Sequence, residues 1–285
     1  MLADELVVNY HITEKCNYSC QHCYAKWASN DNLEIHRDMK KVKRLLNNIY
    51  QLFSPHSKTV RLNLAGGEPL LCKNIGKVIE LAYAIGFRVS IISNGSALTH
   101  KFMVNDAKRL SMVGLSIDSL QPARLQKIGR VTRNGQSLSP EKFREKVSRL
   151  REVNDELLIK FNTVVCQFNY DEYMGEFIDG VRPDKWKIFR ILPFAHHGTA
   201  ISDDYFSLFL DNHREVVTPR YIENNEDMIE SYIMVDPIGR FFQNANDGHY
   251  TYSQRITEVG AEKAFNQVNF SLDKYDSRYQ VSTAL

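Results

Sequence analysis

Three thiols crowd one short stretch near the N-terminus. In EKCNYSCQHCYA, residues 14–25, Cys16, Cys20 and Cys23 stand in a C-x3-C-x2-C spacing, while Cys72 and Cys166 lie far along the chain. Thiolates spaced this closely hold a metal or an iron–sulfur cluster. A cubane cluster normally takes four, so three protein sulfurs would leave one iron open to another ligand. Zinc is the competing occupant, yet zinc sites draw four ligands, usually from two knuckles, and this sequence has no second C-x2-C pair. His11 or His22 could complete a zinc set, and a chance gathering of cysteines is the plainer alternative.

Three more short motifs carry polar groups suited to a bound cofactor: GGEP (66–69), SNGS (93–96) and SIDS (116–119). Glycines such as Gly66 and Gly67 let backbone approach a ligand closely. Taken alone, GGEP reads as a turn. Its place one strand–helix interval after the cysteines gives it more weight.

The elements that must position these motifs alternate along the chain. Strand-like runs occupy 5–12, 59–65, 87–93, 112–118, 157–165 and 185–192. Helical patterns fall between them at 36–53, 74–86 and 139–153, the last opened by Ser139 as N-cap and Pro140 in the first turn. Six strands with intervening helices predict an α/β barrel or partial barrel of parallel βαβ units. Sites in such barrels lie at the C-terminal ends of the strands, and all four motifs follow a strand directly. Beyond about residue 195 the pattern loosens, with 232–242 read as a hairpin and 257–268 as a helix. The expected organisation is a core over 1–195 and an extension over 196–285 packed on it, a single domain overall.

Within the strands, polar residues recur at i and i+2: Asn9 and His11, Arg61 and Asn63, Lys160 and Asn162, Lys185 and Lys187. Alternate residues share a face. Any one pair suits the solvated face of an edge strand. Four pairs on four barrel strands suggest a polar, cationic lumen, which would be costly to bury without an anion. No G-x-x-x-x-G-K-[ST] loop occurs, so a triphosphate would have to be held by side chains.

Bulk composition narrows the setting. The 285 residues carry a net charge of +2, which implies no general polyanion-binding surface and no direct nucleic-acid binding. Five cysteines, three of them in one loop, argue against a secreted disulfide framework. The N-terminus lacks a basic start and no apolar run is long enough to cross a bilayer, so a cytoplasmic protein without membrane attachment, and a monomer, is expected.

The cysteine motif followed by Tyr24, together with GGEP, SNGS and SIDS, resembles the radical S-adenosylmethionine (SAM) superfamily. The resemblance implies a partial (βα)6 radical SAM barrel with a C-terminal extension, and a [4Fe–4S] cluster on Cys16, Cys20 and Cys23. SAM would bind the open iron and be contacted by Gly66, Gly67, Glu68, Ser93, Asn94, Ser116 and Asp118. VNYHITEKCNYSCQHCY, RLNLAGGEPLL, KIGR, KFNTVV, DKWKIFRILP and EVGAEKA more specifically resemble the viperin-like enzymes, in order and over most of the chain. That resemblance implies a 3′-deoxy-3′,4′-didehydro-nucleoside triphosphate synthase. Such an enzyme removes hydrogen from C4′ of CTP, GTP or UTP and expels the 3′-hydroxyl as water, giving a chain-terminating antiviral nucleotide. It implies Arg61, Arg130, Lys160, Lys185 and Lys187 near the triphosphate, and Asn9, His11, Asn63 and Asn162 along the base and ribose. A low-potential electron donor, flavodoxin- or ferredoxin-like, is expected as partner.

The proton donor for dehydration is left open between a lysine and a water, and none of the 14 tyrosines is singled out as a source of the closing electron. Ile238 stands where animal members carry a tyrosine, and the tail DKYDSRYQVSTAL lacks the family's frequent terminal tryptophan. Residues 131–138 read as a surface connection, His196 and His197 as loop residues, Cys72 and Cys166 as core side chains, and Trp186 and Phe189 as packing. The competing functions are a radical SAM enzyme acting on a peptide or another small molecule, and a zinc-binding module without catalysis. The absence of any cysteine after Cys166 weighs against the peptide-modifying kind, many of which carry auxiliary clusters.

Overall fold

A computed structural model describes residues 3–25, 33–192, 200–245 and 249–277. Its first six strands are β1 (Ala3–Thr13), β2 (Ser57–Gly66), β3 (Arg88–Ser93), β4 (Leu110–Ser116), β5 (Leu158–Val165) and β6 (Lys185–Arg190). Their helices are α1 (Met39–Phe53), α2 (Ile75–Ile85), α3 (His100–Asp106), α4 (Pro122–Ile128), α5 (Pro140–Val153) and α6 (Gly175–Val181). Neighbouring strands from β1 to β6 pair in parallel, as the βαβ alternation predicts.

Expectation and structure part after β6. The C-terminal third adds α7 (Asp203–Asn212), β7 (Arg220–Glu223), β8 (Ile233–Val235), β9 (Arg240–Asn244), β10 (Tyr250–Arg255), α8 (Ile256–Val259), α9 (Ala261–Phe265) and α10 (Leu272–Ser277). Its four strands join the same sheet, whose order is β10-β9-β8-β1-β2-β3-β4-β5-β6-β7. The partial barrel is therefore an open ten-stranded sheet, with β7 extending one edge in parallel and β8 flanking β1 in parallel. β8 and β9 form the expected hairpin. The single helix expected at 257–268 is instead two short ones, because Gly260 at φ +86° breaks it. The 195/196 boundary and the His196–His197 pair lie outside the described residues.

Alternation sorts each strand. Leu6, Val8, Tyr10 and Ile12 of β1 and Val60, Leu62 and Leu64 of β2 belong to the main core with Val42, Leu45, Leu46, Ile49 and Phe53 of α1. Those α1 positions recur at three- and four-residue spacing, the stripe of a helix lying on a sheet. Asp38 caps α1 by accepting the Lys40 N–H at 2.9 Å, and Ser139 caps α5 through the Lys142 N–H at 3.4 Å. Trp186, Cys72 and Cys166 are core residues, as expected. The other strand face is left for the lumen, where Asn9 pairs with Asn63 and Lys160 and Asn162 lie beside Lys185 and Lys187.

Candidate active site

The strand ends are stitched into one rim by backbone bonds. The Gly67 N–H donates to the Thr13 carbonyl (2.7 Å) and the Glu68 N–H to that of Lys15 (2.8 Å). A Cβ on Gly67 would sit 2.2 Å from the Lys15 oxygen, so GGEP needs its glycine to lie against the cysteine loop. Glu68 is fully buried and accepts from the Ser93 hydroxyl (2.8 Å), the Asn94 N–H (2.7 Å) and the Leu70 N–H (3.1 Å). Burial raises its carboxyl to about 7 despite those donors. The Asn94 amide reaches the next loop, donating to Asn17 Oδ1 (2.9 Å) and lying 3.7 Å from Cys16 Sγ. Glu68, Ser93 and Asn94 thus hold one another and the cysteine loop together.

The far side of the cysteine loop is pinned by the turn after α4. The N–H groups of Ser19 and Gln21 donate to the carbonyls of Gly129 (3.2 Å) and Ile128 (2.8 Å). Gly129 has φ +78° and its missing Cβ would meet the Ser19 oxygen at 2.4 Å. This close approach explains the glycine of KIGR. Arg130 follows, with Nε 2.5 Å from Asp118 Oδ2, and His22 Nε2 lies 3.2 Å from the same oxygen. The other Asp118 oxygen accepts the Val164 N–H at 2.9 Å. Against the desolvation that would raise it, the Arg130 charge and the contact with His22 hold this buried carboxyl well below the ordinary aspartate value.

The donor set fits a cluster. Burial raises the Cys16 and Cys20 thiols, Arg130 draws both down, and Cys16 feels Cys23 while Cys20 feels Cys16. Three cysteine thiols on one loop are the donor type that an iron–sulfur cluster takes. Among the described residues, no three His, Cys, Asp or Glu side chains converge on a metal-sized centre. His22 is turned to Asp118, which argues against zinc drawing its fourth ligand there. His11, 3% exposed, packs edge-on against Tyr24 (5.7 Å) and near Phe242 (5.3 Å), and burial lowers it to about 3.

Below the rim, the lumen divides by wall. On one side, Ser90 donates to Asn63 Oδ1 (2.8 Å), Asn63 to Asn9 Oδ1 (2.8 Å) and Asn9 to the Ile233 carbonyl (3.4 Å). Arg61 closes this chain by donating to Ser90 Oγ (3.2 Å) and pairing with Glu5 (2.8 Å). The opposite wall carries Lys160, Lys185 and Lys187. Lys187 pairs with Glu223, whose carboxylate also accepts the Tyr232 hydroxyl. Lys160 has no ion-pair partner among the described residues, and burial with Lys187, Arg61 and Lys185 nearby holds its ammonium well below the ordinary lysine value. The amide oxygen of Asn162, 9% exposed, accepts no hydrogen bond among the described residues.

Most expected site residues thus gather in two layers. Arg130 and Asp118 lie with the cysteine loop, so Arg130, expected beside the triphosphate, is placed at the rim. Ser116 ends β4 opposite Asn162 and lines a narrow cleft with Tyr18, Asn94 and Arg130. Ile238 sits in the β8–β9 turn, which packs on Ile35: the Ile35 N–H donates to the Pro237 carbonyl at 2.9 Å and Ile35 Cδ1 lies 2.5 Å from where a Gly239 Cβ would be. In the 131–138 connection, 133–136 are exposed and Leu138 packs on Gly95 of SNGS. Two lumen carboxylates, Glu5 and Glu223, were not anticipated, and neither were Tyr232, His22 as a partner of Asp118, or Gly129. Glu5 left a sequence signal, sharing the strand parity of Asn9 and His11, and Gly129 stood in KIGR without its contact with the cysteine loop being foreseen.

Comparison with known proteins agrees with this geometry. The family model described as Radical SAM superfamily matches residues 10–179. A protein of Psychrobacter lutiphocae named S-adenosylmethionine-dependent nucleotide dehydratase is 40% identical, covering 97% of this chain and 95% of its own. One of the same name from Pseudoalteromonas ulvae is 36% identical, covering 97% and 93%. Among solved structures, native anSMEcpe with bound AdoMet shares the fold at TM-score 0.66 and 11% identity, covering 97% of this chain and 84% of that one. No described helix is long and apolar enough to cross a membrane.

Proposed function

The chain belongs to the radical SAM superfamily and, within it, to the S-adenosylmethionine-dependent nucleotide dehydratases, and we propose that it converts a nucleoside triphosphate to its 3′-deoxy-3′,4′-didehydro analogue. CTP, GTP and UTP are the substrates to test. The product lacks a 3′-hydroxyl and would terminate a growing nucleic-acid chain. Cys16, Cys20 and Cys23 would hold the [4Fe–4S] cluster, and SAM would lie on Gly66, Gly67, Ser93, Asn94 and Ser116. When bound, the cluster and SAM supply the 5′-deoxyadenosyl radical that takes hydrogen from C4′.

The residues of this chain bind, orient and protonate. Arg130 is a cation beside the cysteines, suited to the carboxylate of SAM, with Asp118 fixing its direction. Deeper in the lumen, the observation that carries the reading is Lys160, a buried lysine with no ion-pair partner among the described residues, set among Lys187, Arg61, Lys185 and a single carboxylate, Glu223. Cations gathered in a buried space call for a polyanion. The radical arrives from the rim, so the ribose belongs at the level of Asn162 and Lys187, which are in register. Lys160 and Lys185 pair one step deeper, about 6–7 Å farther from the rim for two strand residues, and so face the phosphates. Asn162 offers its amide to the sugar. A flavodoxin- or ferredoxin-like protein is the expected electron source, and a monomer suffices for this site.

The test is anaerobic incubation of reconstituted, reduced protein with SAM and each NTP in turn. Mass spectrometry should find 5′-deoxyadenosine together with a nucleotide lighter by one water. 5′-Deoxyadenosine formed equally without NTP, and no dehydrated nucleotide, would reject the proposal. A protein that binds one zinc and no four-iron cluster would reject the whole radical reading.

A further inference from the structure

Glu223 is a buried carboxylate on the edge strand β7 that meets two polar side chains at once. It ends β7 at one edge, while Tyr232 immediately precedes β8 beside β1. The chain leaves β7 after Glu223 and reaches β8 within nine residues, and the Tyr232 hydroxyl donates back to Glu223. The other Glu223 oxygen holds the Lys187 ammonium, which also lies 5.5 Å from the centroid of the Tyr232 ring. Glu223 is 1% exposed, Lys187 is buried and Tyr232 is half-buried, so the carboxylate between them is shielded from bulk water. A carboxylate bridging a phenol and an ammonium in a closed space can take a proton from one and return it to the other.

We propose that Glu223 is the proton link between Tyr232 and Lys187 during dehydration, an inference that rests on the nucleotide-dehydratase reading. Expelling the 3′-hydroxyl as water from a sugar radical and ending at a closed-shell alkene takes one proton and one electron. Lys187, at the level of the ribose, gives its proton to the departing hydroxyl as the C3′–O bond breaks. Tyr232 gives an electron to the sugar and its phenolic proton to Glu223. Glu223 passes a proton to Lys187, so carboxylate and ammonium are restored. Tyr232 is left one hydrogen atom short, which the low-potential one-electron donor and a solvent proton replace. Glu223 touches neither substrate nor cofactor in this scheme. It is a positioning and relay residue that acts through its two partners.

A mere tether for Lys187 would act on nucleotide affinity, whereas a relay acts on turnover. Glu223→Gln keeps the shape and removes the proton capacity. In the wild type, turnover to dehydrated nucleotide is established first; its absence would overturn this inference together with the functional reading. With that in hand, Glu223→Gln should lower kcat about 100-fold, the scale of a lost general acid–base group. Nucleotide Kd, read by equilibrium dialysis on cluster-free protein, should change by less than about 3-fold, because one neutralised carboxylate facing a cationic lumen does not weaken anion binding. Glu223→Asp, which keeps the carboxylate, should recover part of kcat. An unchanged kcat in Glu223→Gln, or a fall in kcat matched by an equal fall in nucleotide affinity, would overturn the relay while leaving the dehydratase reading intact. Circular dichroism and iron content of both variants identify misfolding, and if Glu223→Gln misfolds, a folded Glu223→Asp with lowered kcat at unchanged nucleotide Kd supports the relay, while an unchanged kcat, or kcat and affinity lowered in parallel, overturns it.

Discussion

Glu68 accepts the Ser93 hydroxyl at 2.8 Å while its second oxygen accepts the Asn94 N–H at 2.7 Å, so the second and third rim loops are held by one buried carboxyl. Burial raises that carboxyl from 4.5 to about 7. Between these values the folded chain holds a proton that the unfolded chain has lost. Stability therefore falls as pH rises from about 4.5 to about 7 and levels off above, by ~3 kcal/mol at most for this group. Glu68→Gln does not titrate. Urea midpoints of cluster-free protein from about pH 5 to 8 should decline more steeply for wild type than for this variant, and parallel curves would contradict the assignment.

The cysteines divide by place in the fold. Cys16, Cys20 and Cys23 share the rim loop, whereas Cys72 and Cys166 are core residues at 5% and 1% exposure. Alanine at any one of the first three should abolish four-iron loading on anaerobic reconstitution. Alanine at Cys72 or Cys166 should leave iron per chain near the wild-type value and cost roughly 1–2 kcal/mol of stability through the small cavity. Iron loss from the Cys166 variant at unchanged fold would count against this division.

The first six strands were legible because each is an apolar run and the first four end in a loop motif, and parallel βαβ geometry then places those loops on one rim. β7, with only four residues in RYIE, and β8, with three, are too short to carry a period, and their pairing depends on long-range packing. The site shows the same division. The cysteines and the lumen lysines declared themselves by type and spacing. Arg130 could not be placed from the sequence, since its position follows from the Gly129 turn meeting the cysteine loop across more than a hundred residues of chain. Glu223 and Tyr232 carry no motif: the pairing of short β7 with β6 brings Glu223 to Lys187, and Tyr232 reaches them through its hydroxyl on Glu223.

Gly129 tests how far the rim depends on backbone contact. Its φ of +78° disfavours any L side chain, and a Cβ would lie 2.4 Å from the Ser19 carbonyl oxygen. Gly129→Ala should cost at least about 1–2 kcal/mol locally, and the strain falls on the loop that presents Cys20. Reconstituted iron per chain should drop while the far-UV spectrum stays that of the wild type. Full iron loading in this variant would show that the cysteine loop does not need the turn.

Lys160 gives the lumen its sharpest pH signature. Burial and the charges of Lys187, Arg61 and Lys185 push its pKa well below the ordinary 10.5, so it loses its proton at lower pH than a solvated lysine. A bound polyphosphate favours the ammonium, and binding to the neutral amine must recruit a proton. Nucleotide affinity should therefore fall as pH rises through that lowered pKa, before ordinary lysines titrate. Lys160→Gln removes the charge, and affinity at low pH should drop about 10-fold or more, the worth of one charge-assisted hydrogen bond. Its pH profile should also flatten over the range in which the wild type declines, with SAM affinity unchanged because the rim is untouched. A variant that keeps the wild-type nucleotide affinity and slope would remove Lys160 from the phosphate site and leave the cation cluster without its proposed ligand.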